Sequence, residues 1–96
     1  MNITIVGCGK IGHKIVEKLS NEHEHNITIV DLRQDVVNEL VNTYDVMGVV
    51  GDCISSDILD EAGIKDADIL IAATGSDELN FTTCLIAKKM GNCQTI

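Results

Sequence analysis

The stretch Asn2-Ile3-Thr4-Ile5-Val6-Gly7-Cys8-Gly9-Lys10-Ile11-Gly12 decides how the rest of the chain is read. Its first half is a nearly continuous β-branched run, the pattern of a strand covered on both faces, as in a parallel sheet. The run breaks at Gly7. Beyond Lys10, the apolar residues Ile11, Ile15, Val16 and Leu19 fall on one helical stripe, with Lys14, Glu17 and Lys18 facing away from it. Strand, glycine turn and helix follow one another without a linker, and a lone strand and helix bury too little surface to stand by themselves.

Outward from this unit the alternation repeats four times. Residues 26–30 form a second strand ending at Asp31, and Val36, Val37, Leu40 and Val41 carry a helix over residues 34–42. A third strand, 46–50, stops at Gly51-Asp52. Ser55 or Ser56 can cap a short helix whose Ile58, Leu59 and Ala62 point inward before Gly63 ends it. The most apolar segment, 67–73, is the fourth strand, closing on Thr74-Gly75-Ser76. Ser76 or Asp77 then caps a helix reaching about Met90, with Lys88 and Lys89 in the last turn and Gly91 as its stop. Gln94-Thr95-Ile96 reads as the opening of a fifth strand, so the length reads as a cut through a sheet. The expected fold is α/β: a Rossmann-like, doubly wound parallel sheet forming one domain over residues 1–96. Right-handed crossovers place the turns after all four strands on one rim, where ligands bind in such folds.

Composition narrows the function. The 96 residues are 45% hydrophobic, yet no apolar run approaches the roughly 20 residues of a membrane span. The N-terminus has neither a basic leader nor a small-residue cleavage site, which points to the cytosol. With 15 acidic against 7 basic side chains and a net charge of -8, the clustered positive face of a nucleic-acid binder is not expected. Cys8, Cys53, Cys84 and Cys93 match neither a zinc spacing nor a Cys-x-x-Cys pair, so they are read as reduced, small core residues.

Gly7-Cys8-Gly9-Lys10-Ile11-Gly12 fits G-x-G-x-x-G, which gains weight from its place between strand and helix and from Asp31 about 20 residues further on. Gly7 permits the tight turn, Gly9 lets backbone approach a pyrophosphate, and Gly12 allows close helix–sheet packing. The helix N-terminus offers free N–H groups to phosphates, and Asp31 can accept bonds from both hydroxyls of a ribose. Lys10 is a cation where the helix dipole favours an acid, which suits a phosphate partner or a solvated side chain. Arg33, past Leu32, could stack on adenine or meet a 2′-phosphate, but Asp31 would repel that phosphate; NAD or a plain adenine nucleotide is expected over NADP. Asp52 is placed for the adenine amino group, or is a simple turn residue, with Cys53 packing on the ring. Ala73, Thr74 and Gly75 would lie beneath the pyrophosphate or second ribose.

The remaining candidates are weaker. His23 and His25 form His-x-His in an acidic loop, with no further metal ligand nearby in sequence. His13 reads as a surface helix residue, and Tyr44 and Phe81 as core or interface fillers. No catalytic constellation is recognisable.

These residues resemble the nucleotide-binding N-terminal lobe of RCK (KTN) domains, found in regulatory subunits of Trk- and Ktr-type potassium uptake systems. The resemblance covers essentially the whole chain. It rests on Ile5 to Gly12, Val30-Asp31, Val50-Gly51-Asp52, Glu61-Ala62-Gly63-Ile64-Lys65-Asp66-Ala67-Asp68 and, most specifically, Ala73-Thr74-Gly75-Ser76-Asp77-Glu78-Leu79-Asn80. It implies a non-enzymatic cytoplasmic gating subunit that binds NAD(H) or ATP/ADP and docks on a membrane potassium transporter subunit at the inner face of the membrane. Phosphates would sit at the glycine turn and Lys10, ribose at Asp31, adenine near Asp52 and Cys53, and the far side of the ligand at Thr74 and Gly75. Glu78 matches an acidic position that helps hold a cation or the partner lobe in some relatives. The family assembles as dimers and rings of eight. This chain stops where two further strands would form the dimer surface and lacks an arginine the family often offers to phosphate, so a sheet edge that pairs with a second chain is expected. The alternative is the cofactor-binding half of an NAD-dependent dehydrogenase, which would share the glycines and need a substrate domain beyond Ile96.

Overall fold

In the computed structural model, which describes residues 1–22 and 24–96, the alternating pattern becomes one five-stranded sheet. Strands β1 (Asn2–Val6), β2 (Asn26–Asp31), β3 (Met47–Val50), β4 (Ile69–Ala72) and β5 (Gln94–Thr95) lie in the order β3-β2-β1-β4-β5, all parallel. The chain winds outward from β1 in one direction to β3, returns through β4, and continues to β5. The order therefore reverses beside β1, which puts the glycine turn at the switch point.

Strand periodicity divides the core. Ile3, Ile5, Ile27 and Ile29 project to the side covered by α1 (Lys10–Ser20) and α2 (Gln34–Thr43), where they meet Val16, Val37 and Leu40. Val6, Val30, Val49 and Leu70 project to the other side, against α3 (Ser56–Glu61) and α4 (Asp77–Met90), where Leu59, Ile64, Ala87 and Cys93 close the second layer. Ile5, Ile29, Leu59 and Leu70 are wholly buried, and each such side chain contributes roughly 1.5–3 kcal/mol of transfer free energy.

Several expectations are corrected. The fourth strand begins at Ile69 rather than residue 67, because Gly63, at φ 80°, turns the chain into a 3-10 helix, Ile64–Asp66. Ala67 N–H donates back to Ile64 O at 3.3 Å, so Ala67 is buried but stands outside the ladder. The third strand begins at Met47, one residue later than expected. Ile11 does not join the buried stripe: α1 packs through Gly12 and Val16, and Ile11 is 68% exposed. Gly91 stops α4 as expected, but in extended backbone, and its missing Cβ leaves room for Lys65 Cα. Phe81 is exposed, whereas Tyr44 is half-buried and meets the His13 ring edge-on. His25 sits in the α1–β2 connection with Nε2 3.7 Å from Glu22 Oε2; His23, the other half of the His-x-His reading, lies outside the described residues. The fifth strand does pair: Gln94 and Thr95 register with Ile69 and Leu70, and Ile96 N–H donates to Leu70 O at 2.9 Å. No described helix is long and apolar enough to cross a membrane.

Candidate functional site

Four turns meet on the carboxyl rim of the sheet, after β1, β2, β3 and β4. Backbone bonds tie each to its neighbour: Gly7 N–H donates to Val30 O at 2.9 Å, Gly51 N–H to Asp31 O at 3.0 Å, and Ala73 N–H to Val6 O at 2.8 Å. The rim is thus a continuation of the sheet's own hydrogen bonding. Between the turns lies a cleft of about 370 Å³, within the range of small-molecule sites.

The glycine turn forms its centre. Gly7 adopts φ 87°, and a Cβ there would stand 2.7 Å from Thr74 N and 2.8 Å from Thr74 Cα, so the turn after β1 rests directly on the turn after β4. Gly12 is buried on the first turn of α1, where a Cβ would come 2.1 Å from Gly7 O. Gly9, which begins the helix, has open space where its Cβ would be. Of the four α-helices among the described residues, α1 alone has no acid in its first turn; α2 carries Asp35, α3 Asp57, and α4 Asp77 with Glu78. The positive end of α1 therefore faces the cleft without an acid of its own first turn to cover it.

Asp31 is held by two backbone donors. Cys8 N–H reaches Oδ2 at 2.8 Å and Arg33 N–H reaches Oδ1 at 2.9 Å. A carboxylate oxygen accepts more than one bond, so each oxygen keeps capacity for a further donor while its direction is fixed. The Cys8 thiol is pushed up to about 12 by burial and, secondarily, by the Asp31 charge; it stays protonated and lines the cleft as an apolar group. Asp52 turns Oδ1 onto Ile54 N–H at 3.1 Å. Cys53 is buried, its Sγ 3.2 Å from the hydroxyl of the fully buried Thr83.

On the far side, Thr74 is gripped by Asn80, whose Oδ1 accepts the Thr74 N–H at 2.9 Å and whose Nδ2 donates to Thr74 O at 3.2 Å. Ser76 caps α4 by accepting Leu79 N–H at 3.2 Å.

Of the residues singled out from sequence, Gly7, Cys8, Gly9, Lys10, Ile11, Asp31, Leu32, Asp52, Cys53, Ala73, Thr74 and Gly75 line this one cleft. Three lie elsewhere. Gly12 is beneath the lining, as its packing role requires. Arg33 extends its guanidinium to Asp35, 3.0 Å away and exposed, outside the cleft. Glu78 lies outside the lining, in an adjoining depression with Ile54, Leu79, Phe81 and Thr82. Gly51, whose turn the sequence places on this rim, completes the lining together with Val6, Val30 and Leu79; these three, and the grip of Asn80, were not singled out from sequence. Leu79 was legible as the apolar position after a helix cap. The Asn80 contact depends on the turn geometry and left no periodic signal.

The sheet order, the switch-point cleft and the glycine turn define a Rossmann-type domain. A family model described as the TrkA-N domain matches residues 3–96, and the chain belongs to that family. It is 41% identical over 92 residues to the Trk system potassium uptake protein TrkA of Vibrio alginolyticus, covering 96% of this chain and 20% of that protein. The chain spans about a fifth of the length of the curated relatives it first matches. Among solved structures, it is similar to the Shewanella denitrificans Kef CTD in AMP-bound form, with TM-score 0.82, 21% identity, and coverage of 99% of this chain and 57% of that one. The GsuK channel bound to NAD is similar at TM-score 0.82 and 22% identity, over 98% of this chain and 17% of that one. Apo saccharopine dehydrogenase of Saccharomyces cerevisiae reaches TM-score 0.83 at 15% identity, over 98% of this chain and 20% of that one. A dehydrogenase and a channel therefore share this fold, and function has to be argued from the site.

Proposed function

We propose that this chain is the nucleotide-sensing lobe of a cytoplasmic regulatory subunit of a Trk/Ktr-type potassium transporter, binding NAD(H) or ATP/ADP in the rim cleft to gate transport. The carrying observation is the arrangement of the cleft: an open Gly9 and an acid-free helix N-terminus beside an Asp31 carboxylate fixed by two backbone donors. Phosphate suits the first two and a ribose diol the third. Family membership and the potassium-uptake names of the relatives support the regulatory role over a catalytic one. The AMP and NAD in the two similar structures support an adenine nucleotide as ligand. The subunit would work as a homo-oligomer, a dimer or higher, docked on its membrane partner at the inner face of the membrane.

Calorimetric titration of the chain with NAD, NADH, ATP and ADP tests the reading. At least one should bind, and Asp31→Ala and Gly9→Ala should weaken it. The proposal falls if none binds the parent, or if both variants titrate like it.

A further inference from the structure

Asn80 sits in the first turn of α4, outside the lining of the rim cleft, yet its side-chain amide is committed to Thr74, which is part of that lining. Oδ1 accepts from the Thr74 N–H and from its hydroxyl, and Nδ2 donates to the Thr74 carbonyl. One amide thereby bonds both polar groups of one peptide residue, as a neighbouring strand would, and continues the ladder past the end of β4. The Thr74 hydroxyl also accepts Ser76 N–H at 3.2 Å, which ties the turn to the cap of the same helix. On its other side Thr74 abuts Gly7, whose missing Cβ would stand 2.7 Å from Thr74 N. The chain of contacts runs from α4 through Asn80 to Thr74, and from Thr74 to the glycine turn.

The strand order gives this chain a direction. Asp52, Asp31, Gly7 and Thr74 stand at or just past the carboxyl ends of β3, β2, β1 and β4 across the rim. The carboxylates that suit a nucleoside lie over β2 and β3, and the backbone that suits phosphates lies over β1 and β4. Asn80 acts on the second half alone.

We infer that Asn80 is a positioning residue for the phosphate half of the cleft, holding the Thr74 turn against the glycine turn. The inference rests on the nucleotide reading given above. It separates two ligands: ADP, the part common to NAD(H), ATP and ADP, needs both halves, whereas adenosine needs only the half that Asn80 does not touch.

Asn80→Ala and Asn80→Asp are titrated with ADP and with adenosine, and the Thr74 amide is followed by hydrogen exchange without ligand. With the three hydrogen bonds to Thr74 lost, ADP affinity should fall about tenfold in Asn80→Ala while adenosine changes less than about twofold. Asn80→Asp keeps the acceptor for Thr74 N–H but sets a carboxylate oxygen against Thr74 O, so it should fold yet show the same split. Protection of the Thr74 amide should drop in Asn80→Ala, which removes its acceptor, and persist in Asn80→Asp, which keeps it. Unchanged ADP affinity, Thr74 protection unchanged in Asn80→Ala, or equal weakening of ADP and adenosine overturns the inference while leaving nucleotide binding standing. A parent that binds neither ADP nor adenosine overturns the inference, and the nucleotide reading falls with it if NAD, NADH and ATP do not bind either.

Discussion

Gly7, Gly9 and Gly12 lack a side chain for three different reasons, which substitution should separate. At Gly7 an alanine would take φ 87° and press on Thr74 backbone, and at Gly12 it would overlap Gly7 O. In both cases the atom in the way is main chain, which cannot rotate aside. Gly7→Ala and Gly12→Ala should each cost about 2–4 kcal/mol in urea denaturation. Gly9→Ala meets nothing within 4 Å at ordinary φ and should leave stability within about 0.5 kcal/mol, yet its methyl would occupy the approach to the helix N-terminus and weaken nucleotide. Equal destabilisation by all three would contradict this division. Cys8 adds a pH dependence. Its thiol ionises at about 12 in the folded chain against an ordinary 9.0. Above pH 9 the unfolded chain sheds a proton that the folded chain keeps, so this contribution is complete below pH 9 and is lost as pH rises towards 12. The slope is at most about 1.4 kcal/mol per pH unit. Denaturation midpoints of the parent should decline over that window, and Cys8→Ala should flatten the decline.

The helices show which parts of a fold local chemistry can announce. Ser55 and Ser76 both cap as their spacing suggests, accepting Ile58 and Leu79 N–H, because a cap needs only neighbours in sequence. Removing the Ser76 hydroxyl should cost about 1 kcal/mol, which for a domain of this size is a fall of roughly 4–8 °C in Tm. A thermal melt of Ser76→Ala reads it directly, and an unchanged midpoint would mean that the Thr74–Asn80 bonds alone hold the helix start. What was not legible depends on contacts distant in sequence. Ile11 fits the apolar stripe of α1 by period, but the helix rolls onto Gly12 and Val16 because only a glycine can approach Gly7 O so closely, and Ile11 is carried towards the cleft. The start of β4 differs from the sequence pattern because apolar Ala67 reads as strand, although its N–H is taken by the 3-10 turn. Arg33 reads as a ligand residue by proximity to Asp31, whereas the start of α2 swings it to Asp35. The twelve lining residues were legible because all lie at or just after strand ends, and a parallel sheet puts those ends on one rim.

At the scale of the whole molecule, the cleft belongs to no single element. Its walls come from turns after four strands, tied by the Gly7–Val30, Gly51–Asp31 and Ala73–Val6 backbone bonds. Unfolding any of β1 to β4 removes part of it, so an unfolded chain offers no comparable site and ligand binding is linked to global stability. For a ligand that binds only the folded state, a concentration of 100 times Kd adds about 2.7 kcal/mol. At roughly 4–8 °C per kcal/mol for a domain of 60–100 residues, that is a rise of about 10–20 °C in Tm. Thermal melts with increasing ADP or NAD should therefore climb with the logarithm of ligand concentration, with one cooperative transition throughout. The same titration on Asp31→Ala should move the curve to higher ligand concentration without changing its slope, since the substitution weakens the site and leaves the linkage intact. A Tm that rises only for part of the signal, or two separated transitions, would mean that one side of the sheet can open while the other holds nucleotide, and that the rim is not a single cooperative unit.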